Sequence, residues 1–358
     1  MANGFLLSRV LLRFGEASDD LLGDLSAVAL TPDGSLWVGS DEFTTLERLS
    51  PLAPHVFGKH HSYALGDFVP LANTQDEIDI EGMDYAQPYL WLTGSHSTKR
   101  RKTKGKKPHK DIARLETIQR ESNRYLLARL PVCEGALVTS YNSPAHPETV
   151  WTAGCLQPSE TGNVLMEALQ EDRHLGPFLT SPLPAKENGF DIEGLAVHQN
   201  RVFLGLRGPV LGGWAIILDI EVEEHTPGLL TLKEIGPAAQ RYRKHFVDLH
   251  GLGIRELCLQ GEDLIILAGP TMDLEGAMRV FRLRNVLGRQ GDSLTERDTD
   301  ALEVLFDVPF TIGGDHAEGL ALYSCVGQAE ALLIVYDAPH PARRPEAQAV
   351  YADVFRLS

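Results

Sequence analysis

Apolar positions in this chain recur as pairs of short runs separated by polar turns, not as a helical stripe. Glu193-Gly194-Leu195-Ala196-Val197, four turn residues and Val202-Phe203-Leu204 make one such pair. Glu81-Gly82-Met83-Asp84-Tyr85 with Leu90-Trp91-Leu92 matches it without gaps, as does Arg255-Glu256-Leu257-Cys258-Leu259 with Leu264-Ile265-Ile266. Longer turns admit three more: Ser26 to Leu30 with Leu36-Trp37-Val38, Glu134 to Val138 with Val150-Trp151-Thr152, and Glu318-Gly319-Leu320 with Leu332 to Tyr336. Runs of this length, bounded by turn signals such as Pro32-Asp33-Gly34, predict β-hairpins.

The anchor positions 26, 81, 134, 193, 255 and 318 recur at intervals of 53 to 63 residues. Self-similarity at that period predicts an all-β, six-bladed β-propeller forming a single domain over residues 1–358. Third strands are expected at Thr44 to Leu49, Tyr125 to Leu130, Trp214 to Ile220, Met278 to Leu283 and Val350 to Arg356. Leu229 to Ile235 and Leu302 to Val308 are expected fourth strands, and Asn163 to Gln170 reads as helical. Phe5 to Phe14 would complete the last blade, so that pairing of the N- and C-terminal strands removes an exposed edge. One insertion interrupts the second unit at about 97–123, basic at first and helix-like from Asp111 to Arg120.

Charge narrows the picture. The 358-residue chain carries a net −16, which argues against general binding to nucleic acid or anionic membrane. Lys99 to Lys110 holds eight Lys/Arg and no acid, leaving the remainder at −24. This run reads either as a solvated loop or as an arm toward a polyanionic ligand, the single segment through which nucleic acid would bind. The four cysteines are widely spaced without a Cys-x-x-Cys pair, as expected of free thiols in a cytoplasmic protein. Arg9 and Arg13 break the apolar start, so it reads as a strand and not a signal peptide. No apolar run approaches the roughly 20 residues of a membrane span.

In a propeller, residues opening each first strand and closing each second strand share one rim of the central channel. The openers are Ser26, Glu81, Glu134, Glu193, Arg255 and Glu318; the closers include Asp41-Glu42, Ser95-His96, Gly154-Cys155, Arg207-Gly208-Pro209, Gly269-Pro270 and Asp337. Several carboxylates in one narrow channel repel unless a cation, an arginine or a raised pKa offsets them. Glu81, Glu193 and Glu318 are therefore the expected ligands of a hard divalent ion, Ca²⁺ or Mg²⁺. The alternative is a set of structural carboxylates bound to backbone N–H groups, with each following glycine allowing close approach. Arg207, set between turn-forming residues, is expected to bind a substrate anion or oxyanion, or else to neutralise the channel. Ser95 and Arg255 are further substrate-binding candidates, and His96 and His316 are candidate general bases. Gly-x-Ser-x-Gly is absent, which disfavours a serine hydrolase.

Asp191-Ile192-Glu193-Gly194-Leu195 with Gly205-Leu206-Arg207-Gly208-Pro209 resembles an uncharacterised bacterial family, a domain of unknown function. The resemblance extends through Gly94-Ser95-His96-Ser97 and Lys186-Glu187-Asn188-Gly189-Phe190. More distantly, the repeated Glu-Gly-Leu units are similar to propellers of the esterase-like phytase and gluconolactonase type, some of which hold a divalent cation at the channel. That likeness implies a divalent cation at the channel; Glu81, Glu193 and Glu318 around the ion, with Arg207 and His96 or His316, then read as a metal-assisted hydrolase of a small anionic ester, lactone or phosphoester. The alternative is a non-catalytic propeller that binds a ligand or protein partner through its rim and basic insertion.

Overall fold

A computed structural model describes residues 5–357 apart from 16–18, 75, 146, 182, 273, 310 and 326–327. The alternating hairpins assemble into five antiparallel sheets of four strands each. Sheet one is Leu25–Leu30, Leu36–Ser40, Thr45–Ala53 and Val56–Ala64; sheet two is Ile80–Ala86, Tyr89–Gly94, Leu127–Cys133 and Gly154–Leu156. Sheet three is Asp191–His198, Arg201–Gly208, Ala215–Thr226 and Tyr242–Val247; sheet four is Gly253–Gln260, Asp263–Gly269, Met278–Leu283 and Leu302–Val308. Sheet five is His316–Cys325, Gln328–Asp337, Ala349–Arg356 and the N-terminal strand Leu6–Arg13, which pairs Arg9 with Asp353 and Leu12 with Val350. Residues 1–4 of the apolar start lie outside the described residues.

Each first strand packs against the first strand of the next sheet, and the fifth packs against the first. The core follows the same geometry as five apolar seams. Trp37 joins Ile80, Met83 and Leu92 between sheets one and two. Trp91 joins Leu195 and Leu204 between two and three, and Phe203 joins Leu257 and Leu264 between three and four. Leu267 meets Leu320 and Leu332 between four and five; Val28 and Leu36 meet Leu333 and Val354 between five and one. Strands buried on both faces need apolar residues at successive positions, which is why these runs are continuous and not alternating. Five seams close a ring of five sheets around an axis, the propeller architecture.

The sixth expected unit is not a hairpin at the axis. Glu134 and Gly135 have φ of +50° and +75° and form the two-residue turn between Leu127–Cys133 and Ala136–Leu137. Positive φ at both central positions marks a tight hairpin turn, a setting that favours glycine second. The long stretch from 134 to 190 instead supplies the fourth strand of sheet two and two short helices, Val164–Leu169 and Gly176–Thr180. Leu165 and Leu169 of the first helix pack onto the seam between sheets two and three, and the Asn163 side chain caps the helix at Leu165 N and Met166 N. Leu229–Leu232, the expected fourth strand of its unit, extends the outer part of Ala215–Thr226 and pairs in parallel with Gly154–Leu156. The insertion forms a ladder of Lys99–Arg100 against Ile118–Gln119, with a helix over Pro108–Leu115. All four cysteines are unpaired. No described helix is long and apolar enough to cross a membrane.

Candidate active site at the channel mouth

All five first strands slip register against their partners near their starts. Ser26, Glu81, Glu193 and Arg255 are the extra residues in four of these slips, and Glu318 lies within the fifth. On the facing strand of sheet three, Arg207 is likewise extra between the Asp191–Gly208 and Ile192–Leu206 pairs. A β-bulge re-aims one side chain out of the alternating pattern, and at each of these positions that side chain is polar. The glycine after the repeated glutamate has a separate task. A Cβ on Gly82 would lie 2.7 Å from Leu195 Cβ and 2.9 Å from Leu195 N; one on Gly194 would lie 3.1 Å from Leu257 N. Glycine lets neighbouring first strands approach closely enough to form a narrow channel.

Within the ring, Arg207 Nη1 donates to Glu193 Oε1 at 2.7 Å and lies 3.6 Å from Asp191 Oδ2, while its Nε donates to Thr271 O at 3.1 Å. Arg255 Nε lies 2.9 Å from the other oxygen of Glu193, and its Nη2 bonds Glu318. Arg207 Nη2 and Arg255 Nη1 have no bonding partner among the described residues. Glu193 and Asp191 are buried at 2% exposure, whereas Glu81, Arg255 and Glu318 keep some surface toward solvent. Arg255, where the repeat elsewhere carries a carboxylate, bridges two of its ring neighbours.

Glu81 differs from its counterparts in having no ion-pair or hydrogen-bond partner among the described residues. Its carboxyl is pushed well above the usual range, first by burial and then by the charges of Glu193, Asp79, Glu318 and Asp191. Asp191 is raised in the same way, chiefly by burial and then by Glu193, and its Oδ1 is buried without a partner. Burial raises Glu318 to about 8 despite the opposing Arg255 guanidinium. Asp41 is raised to about 9 by burial and then by Glu318, Asp79 and Asp337. Burial and the crowding of acids at the mouth thus favour the protonated form of these carboxyl groups.

The other expected site residues have different surroundings. His96 is 1% exposed, with Nδ1 2.8 Å from Gly94 O and Nε2 2.8 Å from Asn163 Nδ2. Burial pushes its pKa down to about 4, and both ring nitrogens are spent, so it fixes the chain near Asn163 and does not serve as a base. Ser95 is fully buried, its Oγ accepting from Ser97 Oγ at 2.9 Å and from Arg124 Nη1 at 3.3 Å, which removes it from substrate contact. Glu134 is exposed in its hairpin turn, outside the ring. His316 is at the rim and half-exposed, its Nδ1 3.5 Å from Asp337 Oδ2, and that carboxylate raises its pKa.

Sequence reasoning missed Arg124. It is buried at the end of the insertion, bonded to Asp79, Glu77, Ser97 and Glu121. Lys99 joins the same acids, 2.7 Å from Glu77 Oε1 and 2.8 Å from Glu121 Oε2. Nothing in the local sequence distinguishes Arg124 from the exposed basic residues that precede it. Asp41 stands out in the sequence only as the close of a strand, and its raised pKa comes first from burial and then from acids of other segments.

A divalent ion does not fit this donor set. Both oxygens of Glu193 face guanidinium groups and Glu318 is bonded to Arg255, so two of the three expected ligands already have cationic partners. Among the described residues no three His, Cys, Asp or Glu side chains are grouped to hold a metal.

The chain is thus an all-β protein of propeller-like architecture, with bulged charged residues gathered where its first strands begin. The chain belongs to the DUF3616 family, proteins of unknown function, whose profile matches residues 24–353. No curated protein matches it significantly. Among solved structures it is similar to a calcium-binding regucalcin from Agrobacterium tumefaciens at 12% identity, covering 100% of each chain with a TM-score of 0.41. It is also similar to virginiamycin B lyase from Staphylococcus aureus at 9% identity, covering 98% of this chain and 100% of that one with a TM-score of 0.39. The functional reading therefore rests on this chain's own residues.

Proposed function

We propose that the channel mouth binds a small anionic ester, lactone or phosphoester and hydrolyses it by proton transfer and guanidinium stabilisation. What carries this reading is Glu81, a carboxyl with no ion-pair or hydrogen-bond partner among the described residues and a pKa raised by burial and neighbouring acids, in a ring that also presents two arginines with unspent nitrogens. A carboxyl whose pKa is raised in this way is suited to donate a proton, here to the leaving oxygen. Arg207 Nη2 and Arg255 Nη1 supply fixed positive charge for the oxyanion that develops during attack. Glu193 holds both guanidinium groups and so acts as a positioning residue. His316, set against Asp337 at the rim with its pKa raised by that carboxylate, takes the proton of the attacking water in its neutral form.

A panel of lactones, aryl esters and phosphoesters tests this reading. Turnover by the wild type is expected to fall about 100-fold or more in Glu81→Gln, the usual scale for losing a general acid. Turnover should also fall in Arg207→Lys, with folding retained in both, and chelator should leave the wild-type rate unchanged. A compound that binds the channel with no turnover favours the pure binding module. Turnover that survives Glu81→Gln unaltered removes Glu81 from the chemistry.

A further inference from the structure

The insertion carries a cationic groove that the channel reading leaves unused. Arg101, Lys104, Lys106, Lys107, Lys110 and Arg114 line a cavity of about 510 Å³ formed by the loop before the helix and the helix itself. This volume falls within the roughly 300–1,000 Å³ of small-molecule sites. Asp111 is the one acid in the lining, and its Oδ1 accepts from Lys104 N at 2.8 Å, so it shapes the loop.

The groove is built and anchored. Arg114 Nε donates to Lys102 O at 2.5 Å, Arg101 N donates to Thr117 O at 3.0 Å, and Arg100 bonds both Leu115 O and the Glu187 carboxylate. Lys99 and Arg100 are the members of the run tied to acids. The side chains of Arg101, Lys104, Lys106, Lys107 and Lys110 are exposed and have no ion pair among the described residues. The backbone therefore holds five unneutralised cations together against their mutual repulsion, in a chain that is otherwise strongly acidic.

We propose that this groove binds a small polyanion carrying two or more phosphoryl groups. Several lysine ammonium groups, each a compact point charge, suit clustered phosphoryl oxygens. No aromatic side chain lines the groove to stack a base, and the acidic remainder of the chain repels a long polyanion. Both features favour a small ligand over a nucleic-acid strand.

Calorimetric titration of the full chain with tripolyphosphate tests the assignment. Binding at one site is expected, weakening as salt rises and the screening length falls below about 10 Å. The triple variant Lys104→Gln, Lys107→Gln, Lys110→Gln should bind about 100-fold more weakly, at roughly fivefold for each ammonium group removed. These side chains have no partners to lose, so an unchanged thermal unfolding curve confirms that the variant is folded. Glu81→Gln, in the channel, should bind tripolyphosphate like the wild type. The proposal is overturned if tripolyphosphate does not bind at low salt, if the triple variant binds unchanged, or if Glu81→Gln abolishes binding. It is equally overturned if a single-stranded oligothymidylate binds these lysines more tightly than tripolyphosphate.

Discussion

Replacing Glu81 with glutamine tests the electrostatics of the ring without assuming any substrate. The amide has nearly the shape of a protonated carboxyl, and no ion pair is lost with it. At pH 5 the two proteins should therefore differ by less than about 1 kcal/mol, the scale of a surface-type change. The difference appears on raising the pH. Unfolded Glu81 ionises near 4.5, while in the folded protein burial and the surrounding acids raise its pKa well above that. The unfolded state then binds fewer protons than the folded state, so wild-type stability falls with rising pH. The slope is at most about 1.4 kcal/mol per pH unit. Glutamine cannot ionise and escapes this loss.

Above about pH 4.5 the variant should gain on the wild type as pH rises, by no more than about 1.4 kcal/mol per unit, until the pH passes the raised pKa of the folded group. For a chain of this size each such unit is about 2 °C in relative Tm. Urea unfolding at each pH reads the same difference as a shift in midpoint at constant slope. The outcome that defeats the reasoning is a variant equally stable at pH 6 and less stable than wild type at pH 8. That result would mean Glu81 is ionised and partnered in the folded protein, as a ring carboxylate serving a cation would be.

Two further expectations concern the framework. Arg255→Met removes the cation beside Glu318 and one oxygen of Glu193 and should cost about 3–5 kcal/mol, read by chemical denaturation. Gly194→Ala places a methyl against Leu257 N and should cost about 1–3 kcal/mol by crowding the strands, whereas Gly291→Ala, with open space at its Cβ, should be close to neutral in the same unfolding assay.

Much of the framework is legible in the sequence because it is local. Each hairpin declares itself in two apolar runs and a turn, and the strands Met278–Leu283 and Leu302–Val308 fall where the pattern puts them. The pairing of the two terminal strands follows from a last unit short of one strand. The sixth unit misleads because Glu-Gly serves two conformations: a bulge followed by a close approach at Glu193-Gly194, and a tight turn at Glu134-Gly135. Composition cannot separate these; φ does. Glu81, Glu193 and Glu318 do meet at one mouth, but the partners that settle their charges come from distant segments. Arg124 reaches Asp79 across 45 residues and Arg255 reaches Glu318 across 63, so no local pattern reveals how the charges are balanced. His96 misleads for a similar reason: Asn163, which occupies its Nε2, lies 67 residues away in a stretch whose sequence says only helix.

The union of Leu6–Arg13 with Ala349–Arg356 also has a kinetic side. Arg9 and Asp353 are 344 residues apart, yet they belong to one sheet and share an ion pair at 3.2 Å. Hairpins within each sheet can form as soon as their two runs meet, but this pairing needs nearly the whole chain and the loop closure that goes with it. Until then the strand Ala349–Arg356 presents an open edge able to capture a strand from another molecule. Refolding at high protein concentration should therefore trap dimers that exchange their N-terminal strands, while dilution favours the closed ring.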